Sequence, residues 1–154
     1  LAPGYIVPAA LLSVGYEPRR KGLGIRLTAL STWTRQVELG AGQVEWLRWP
    51  VGLGPSWGLA ANQLRWDFSA GIASAWLRLR GSSFDNEKTV QDVVVGGLLS
   101  ARIAGTGRPW TPFATAVAYV WPGESVAYVG GSSSAELRLP NADFLLAFGC
   151  ILGG

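Results

Sequence analysis

Leu23–Leu39, LGIRLTALSTWTRQVEL, decides how this chain is read. Its odd positions carry Leu23, Ile25, Leu27, Ala29, Trp33, Val37 and Leu39, broken by Ser31 and Arg35. Its even positions carry Gly24, Arg26, Thr28, Thr32, Thr34, Gln36 and Glu38, broken by Leu30. Successive side chains of a strand point to opposite faces, so the stretch is a β-strand with one greasy face and one polar or small face. A strand needs about 9–11 residues to cross a bilayer, and this one is long enough to cross and protrude. It reads as one stave of a transmembrane barrel.

The alternation recurs along the chain. Leu47, Trp49, Val51, Leu53, Trp57 and Leu59 oppose Arg48, Pro50, Gly52, Gly54, Ser56 and Gly58. Leu64, Trp66, Phe68, Ile72 and Trp76 oppose Arg65, Asp67, Ser69, Gly71, Ala73 and Ala75. Val93, Val95, Leu99 and Ile103 oppose Val94, Gly96, Leu98, Ser100 and Arg102. Phe113, Thr115, Val117, Tyr119 and Trp121 oppose Pro112, Ala114, Ala116 and Ala118. Phe144, Leu146, Phe148 and Leu152 oppose Asp143, Leu145, Ala147 and Gly149. The first stave, Tyr5–Tyr16, alternates more weakly. The phase reverses at Val44 and Trp46 and again at Leu77 and Leu79, as a bulge or a strand running past the membrane would make it.

Turns at 17–22, 60–63 and 105–108 are short, and so is the reversal at 40–42. The connections at 81–89 and 122–136 are longer, and PGESVAYVGGSSSAELRL (122–139) reads as an excursion with hairpin arms of its own. Short turns on one rim and long loops on the other are the pattern of outer-membrane barrels, with the long loops outside. The expected fold is all-β: one domain over 1–154, an antiparallel up-and-down transmembrane β-barrel of about eight strands. Seven staves are legible. Because bacterial barrels have even strand numbers, the eighth is expected to precede Leu1, to be misread, or to split from 122–139. In the first case Ala2-Pro3-Gly4 is the remnant of a loop.

Composition points the same way. There are 21 Gly and 8 Trp, and only 15% of residues are charged, yet no apolar run approaches the length of a membrane helix. Histidine is absent, which removes Ser-His-acid triads and most zinc sites. One cysteine, Cys150, allows no intrachain disulfide. The net charge of +3 is dispersed apart from Arg19-Arg20-Lys21, so no nucleic-acid partner is expected. With no methionine, the chain is expected to be processed or trimmed, its signal peptide removed.

On this register Arg26, Arg48, Arg65, Asp67, Arg102 and Asp143 face the lumen, where they are expected to pair in a plugging network. Tyr16, Trp57, Trp66 and Trp110 fall near the short turns. Trp33, Trp46, Trp76, Tyr119 and Trp121 fall near the long loops. Two aromatic belts are what two membrane interfaces select. Arg35, Arg78 and Arg80 face outward near the outer rim, where guanidinium groups meet lipid-headgroup phosphates or serve as interfacial anchors.

No catalytic residue is assigned, and no cofactor or metal site is expected. A Ser-Lys dyad would have to use Lys21 or Lys88, and both lie in loops, at opposite rims. Gly22-Leu23-Gly24 and Gly96-Gly97 carry no phosphate-loop fingerprint. Asp85, Glu87 and Asp92 read as a solvated loop in preference to a weak cation site.

The segments LRWPVGLGPSWGLA (47–60), LRWDFSAGIASAWLRLRG (64–81) and RPWTPFATAVAYVW (108–121) resemble small Gram-negative outer-membrane barrels of the OmpA/OmpX/OmpW type, including predicted ones with no assigned activity. Such barrels end on an aromatic residue that the assembly machinery reads. This chain ends Leu152-Gly153-Gly154, so its end is trimmed or its signal atypical. The resemblance implies a non-enzymatic barrel of the bacterial outer membrane, porin-like in fold, with a structural or surface-interaction role. Its partners would be outer-membrane lipid or lipopolysaccharide and a protein meeting loops 81–89 and 122–136. Two alternatives stand beside it. One is a barrel binding or passing a small apolar ligand, motivated by interior Leu30, Val94, Leu98 and Leu145. The other is a soluble lipocalin-like carrier with its large residues inside.

Overall fold

The computed structural model describes residues 7–19, 22–39, 42–82, 89–106, 110–123, 126–129 and 135–152. Its strands are β1 (Ala9–Arg19), β2 (Leu23–Thr32), β3 (Arg35–Leu39), β4 (Gly42–Ala61), β5 (Leu64–Ser82), β6 (Thr89–Gly105), β7 (Trp110–Val120), β8 (Val126–Val129), β9 (Ala135–Arg138) and β10 (Ala142–Leu152). An antiparallel meander runs β1-β2-β4-β5-β6-β7-β10, and β3 pairs with β4 to complete an eight-stranded sheet. β8 and β9 form a separate hairpin, the excursion read between 122 and 139. Ala2, Pro3, Gly4, Lys21, Asp85, Glu87, Lys88, Gly153 and Gly154 lie outside the described residues.

The sheet curls strongly, and the closed barrel expected from sequence is here a half-barrel, open between β1 and β10. Arg48 on β4 reaches Asp143 on β10 across the concave side, although three strands separate them along the sheet. The long β4–β5 hairpin contains one close backbone approach. Leu53 pairs with Ile72 and Ser56 with Ser69, but Gly54 and Gly71 between them approach so closely that a Cβ on either would sit 2.6 Å from the other's Cα. Only glycine permits that contact. At the hairpin's end Asn62 takes φ 56°, a left-handed conformation that its short polar side chain tolerates.

The 23–39 stretch is two strands, not one. Ala29 pairs with Val51 and Arg35 with Trp46, so six steps along one strand match five along the other. The extra residue at Trp33-Thr34 is a bulge, and it flips every side chain beyond it to the other face. By contrast, the phase reversals expected at Val44–Trp46 and Leu77–Leu79 do not occur in the backbone. β4 keeps its even residues inward from Val44 to Ser56, and β5 keeps its odd residues inward from Asp67 to Leu77. Near the long connections the inward residues are simply the large ones: Trp46, Leu77 and Leu139 form one buried cluster.

Farther down, Leu30, Ala73, Ala75, Leu98, Val117, Tyr119 and Trp121 form a second buried cluster across the concave side. Glycines make room for it. A Cβ on Gly52 would lie 2.7 Å from Leu98 Cδ2, and one on Gly96 would lie 2.7 Å from Trp121 Cε3. Overpacking of this kind costs about 1–3 kcal/mol. Gly52→Val is therefore expected to destabilise the folded protein by that amount in a denaturant titration. Leu98→Ala in the same chain should recover part of the loss, a non-additivity that a double-mutant cycle reads directly.

Candidate functional site

The inner face carries two charged clusters where sequence suggested one network. The first gathers at the short-turn end. Asp67, 1% exposed, accepts from Arg65 Nε at 2.8 Å through Oδ1, and from Arg102 Nε at 3.1 Å and Nη2 at 2.6 Å through Oδ2. Arg26, 4% exposed, brings Nη2 to 3.6 Å from Asp67 Oδ2. Arg65 also pairs with Glu17. These side chains come from β1, β2, β5 and β6, whose registers place Gly15 opposite Arg26 and Arg102 opposite Asp67. Just above them Ser69 and Ser100 hydroxyls meet at 2.6 Å.

The second cluster lies beyond the apolar layer, toward the long connections. Asp143 accepts from Arg35 Nη1 at 3.0 Å, from Arg48 Nη1 at 2.9 Å and from the indole Nε1–H of Trp121 at 2.9 Å. Arg48 also donates to the Pro140 carbonyl at 3.2 Å. The guanidinium of Arg35 lies 4.4 Å over the Trp46 ring and that of Arg48 lies 5.0 Å over Trp121. Arg, with its planar cation, suits this double task of bonding a carboxylate in-plane and stacking on an indole.

Several positions differ from the sequence expectation. Arg35 is not an outward, headgroup-facing residue; the bulge at Trp33-Thr34 turns it inward onto Asp143. Trp46, Tyr119 and Trp121 are not belt residues but buried inner ones, Tyr119 fully so. β7 was misassigned because its larger set was taken as the outer set. Its register places Thr115 opposite Arg102, Val117 opposite Ser100 and Tyr119 opposite Leu98, and cross-strand partners share a face. Glu17, Trp46 and Trp121 are members of the charged clusters that sequence reasoning missed. For Trp46 the signal is its cross-strand partner Arg35; Glu17 and Trp121 have no cross-strand partner in the register.

The remaining aromatics stand on the convex face. Tyr16, Trp33, Trp57, Trp66 and Trp110 are exposed, and Trp76 is half-buried against Trp49, centroids 5.0 Å apart. Arg78 and Arg80 are exposed on the same side. Between the aromatics the convex face is apolar on every strand of the meander, reaching 72% exposure at Ile72 and 82% at Phe144 and Phe148. Asp92 is exposed and its carboxylate accepts the Val93 N–H at 2.7 Å.

Removing one partner of a buried ion pair leaves an uncompensated charge, at a cost of about 3–5 kcal/mol. Asp143→Ala, which strands both Arg35 and Arg48, is expected to lower stability by that amount in a denaturant titration. Asp92→Ala, on an exposed carboxylate, should stay within about 0.5 kcal/mol of the unaltered protein. Comparison with protein families, curated proteins and solved structures returned no match to this chain.

Proposed function

We propose that this chain is an integral β-barrel protein of the bacterial outer membrane, non-enzymatic, with a side-chain-filled interior and a structural or surface-interaction role. The observation that carries the reading is the outer face of the central strands. On β5 the outward residues from Leu64 to Trp76 are apolar but for Ser74, with eleven residues from Trp66 to Trp76 inclusive, and beyond Trp76 they are Arg78 and Arg80. The pairing register sets Trp49 and Val93 beside Trp76, and Leu59 and Ile103 beside Trp66. All three neighbouring strands thus carry an apolar stretch of the same length, and about 9–11 residues is what a tilted strand needs to cross hydrocarbon. On β5 Trp66 and Trp76 stand near the two ends of this stretch, as amphipathic rings do at membrane interfaces.

The carrier alternative needs large residues inside and charge outside. Trp49, Leu53 and Ile72 are exposed, whereas Arg26 and Asp67 are buried. Of the residues that motivate the apolar-ligand alternative, Leu30 and Leu145 border a cavity of about 830 Å³. Leu30, Val94, Leu98 and Leu145 pack into a single cluster with Val117, Tyr119 and Trp121. Surface interaction falls to the long connections at 81–89 and 122–136, the latter carrying the β8–β9 hairpin. Outer-leaflet lipid or lipopolysaccharide would meet Arg78 and Arg80.

The protein is expected to require detergent for monodispersity and to migrate differently on a gel when boiled and unboiled. A folded, monodisperse monomer in plain buffer would refute the membrane assignment. In planar bilayers it should show no stable, large open state, because the two charged clusters and the apolar layer between them stand across the hollow of the sheet. A persistent large conductance would refute the plug.

A further inference from the structure

Among the described residues, β1 and β10 each pair on one side only, and a gap separates their free edges. Val7 and Ala9 stand on one side of it and Phe144, Leu145 and Leu146 on the other, and all five border one cavity of about 830 Å³. Phe144 and Leu146 point outward, while Leu145 packs against the inner cluster, so the cavity reaches both faces of the sheet at this edge.

The hydrogen-bond phase fixes which backbone groups look into the gap. Trp33 N–H donates to the Pro8 carbonyl at 3.2 Å, which makes these two residues a bonded pair. Bonded pairs alternate along an antiparallel ladder, so the N–H and C=O of Ala9, Leu11, Ser13 and Gly15 turn away from β2. Trp121 N–H donates to the Asn141 carbonyl at 2.8 Å, so on β10 the groups of Phe144, Leu146, Phe148 and Cys150 turn away from β7. Such a regular row of donors and acceptors is matched by another extended backbone, not by an apolar chain.

Direction narrows the choice. Six antiparallel steps lead from β1 to β10, so the two edges run the same way. One strand running opposite to both would bond β1 through its inward residues and β10 through its outward ones, the ordinary alternation of an antiparallel strand. A second copy lying the same way up offers only edges parallel to these.

We infer that the gap is a docking site for one extended peptide segment, antiparallel to β1 and β10 and about as long as their eleven residues. Its outward side chains are apolar, to lie between Leu12 and Val14 on one side and Phe144 and Leu146 on the other. Its inward ones are small or polar. No connection between this chain's strands is that long, so the segment comes from outside this sequence. The need for it rests on the membrane reading, because hydrocarbon supplies no water to unpaired backbone groups.

Cys150, the single cysteine, is exposed on β10 near the short-turn end and serves as the reporter. The probe is a synthetic peptide copying Leu64–Trp76 of β5, a strand that runs opposite to β1 and β10 and alternates as required. It carries a thiopyridyl-activated cysteine at its N-terminus and is mixed with the folded protein in maltoside micelles. Docked in the inferred direction, the peptide begins beside Cys150, and thiol–disulfide exchange releases thiopyridone. Release is expected to be at least about tenfold faster than with the same peptide activated at its C-terminus, or with a scrambled one, because docking raises the effective concentration. Leu146→Pro removes an N–H aimed into the gap and leaves the β7 ladder its donors. It should lose that advantage while reacting with free dithiodipyridine as the unaltered protein does. Should it fail to fold, Ser13→Pro makes the same test from β1. Equal rates for the three peptides, a faster C-terminal peptide, or a dimer in light scattering that blocks capture would overturn the inference. Capture by protein folded in plain buffer would remove the membrane reading and leave the docking site standing.

Discussion

Five guanidinium groups converge on two carboxylates inside this sheet, and the rest of the structure is arranged around that fact. Asp67 and Asp143 are both buried, and a buried carboxylate is tolerable only when paired and hydrogen-bonded. Asp67 gathers side chains from β2, β5 and β6, drawing in β1 through Glu17 and Arg65. Asp143 ties β10 to β3 and β4 across the hollow of the sheet. The Asp143 set cannot form on a flat sheet, because three strands stand between β4 and β10 along it, so that ion pair and the curl require one another.

The curl then limits volume. The curl crowds the inward side chains together, so large inward residues meet glycine opposite. Leu98 has Gly52, Trp121 has Gly96, and the ring of Phe113 has Gly149. The abundance of glycine follows from packing inside the curl more than from turns. The apolar layer built this way separates the two charged clusters, so neither can relieve the other's charge.

Alternation made much of this legible without coordinates. On β1, β6 and β10 the outward set is also the large set, so parity and size agree: Leu12, Val14 and Tyr16, then Val93, Val95 and Leu99, then Phe144, Leu146 and Phe148. The inward positions of Arg26, Arg48, Arg65, Asp67, Arg102 and Asp143 were readable for the same reason. β7 was not, because its outward residues are mostly Pro112 and alanines and its inward ones include Tyr119. Size alone inverts it; only the partner strand restores it. Arg35 escaped because nothing in Ser31-Thr32-Trp33-Thr34 marks the bulge that reverses its face. The split into two charge clusters escaped because composition along single strands carries no depth information between them.

The apparent phase reversals have a different origin. Along β4 the inward residues change from Gly54, Gly52 and Pro50 to Trp46 and Val44, while the outward ones change from Leu53, Val51 and Trp49 to Glu45 and Gln43. β5 does the same past Trp76, with Leu77 inside and Arg78 outside. The backbone keeps its phase throughout, so the change lies in what touches the outer face. Below Trp49 and Trp76 that surrounding tolerates exposed aliphatics; above them it favours charge. The β8–β9 hairpin, with strands of four residues each, is too small to cover a convex face that is apolar on every strand of the meander. A protein partner would have to wrap the whole curve. On the membrane reading proposed above, a hydrocarbon layer ending at one level would need no such wrapping and would account for the inversion on both strands with a single boundary. Above that boundary, water outside and apolar residues inside are what any soluble hairpin would show. On that reading the hairpin would obey two solvent rules along one unbroken register.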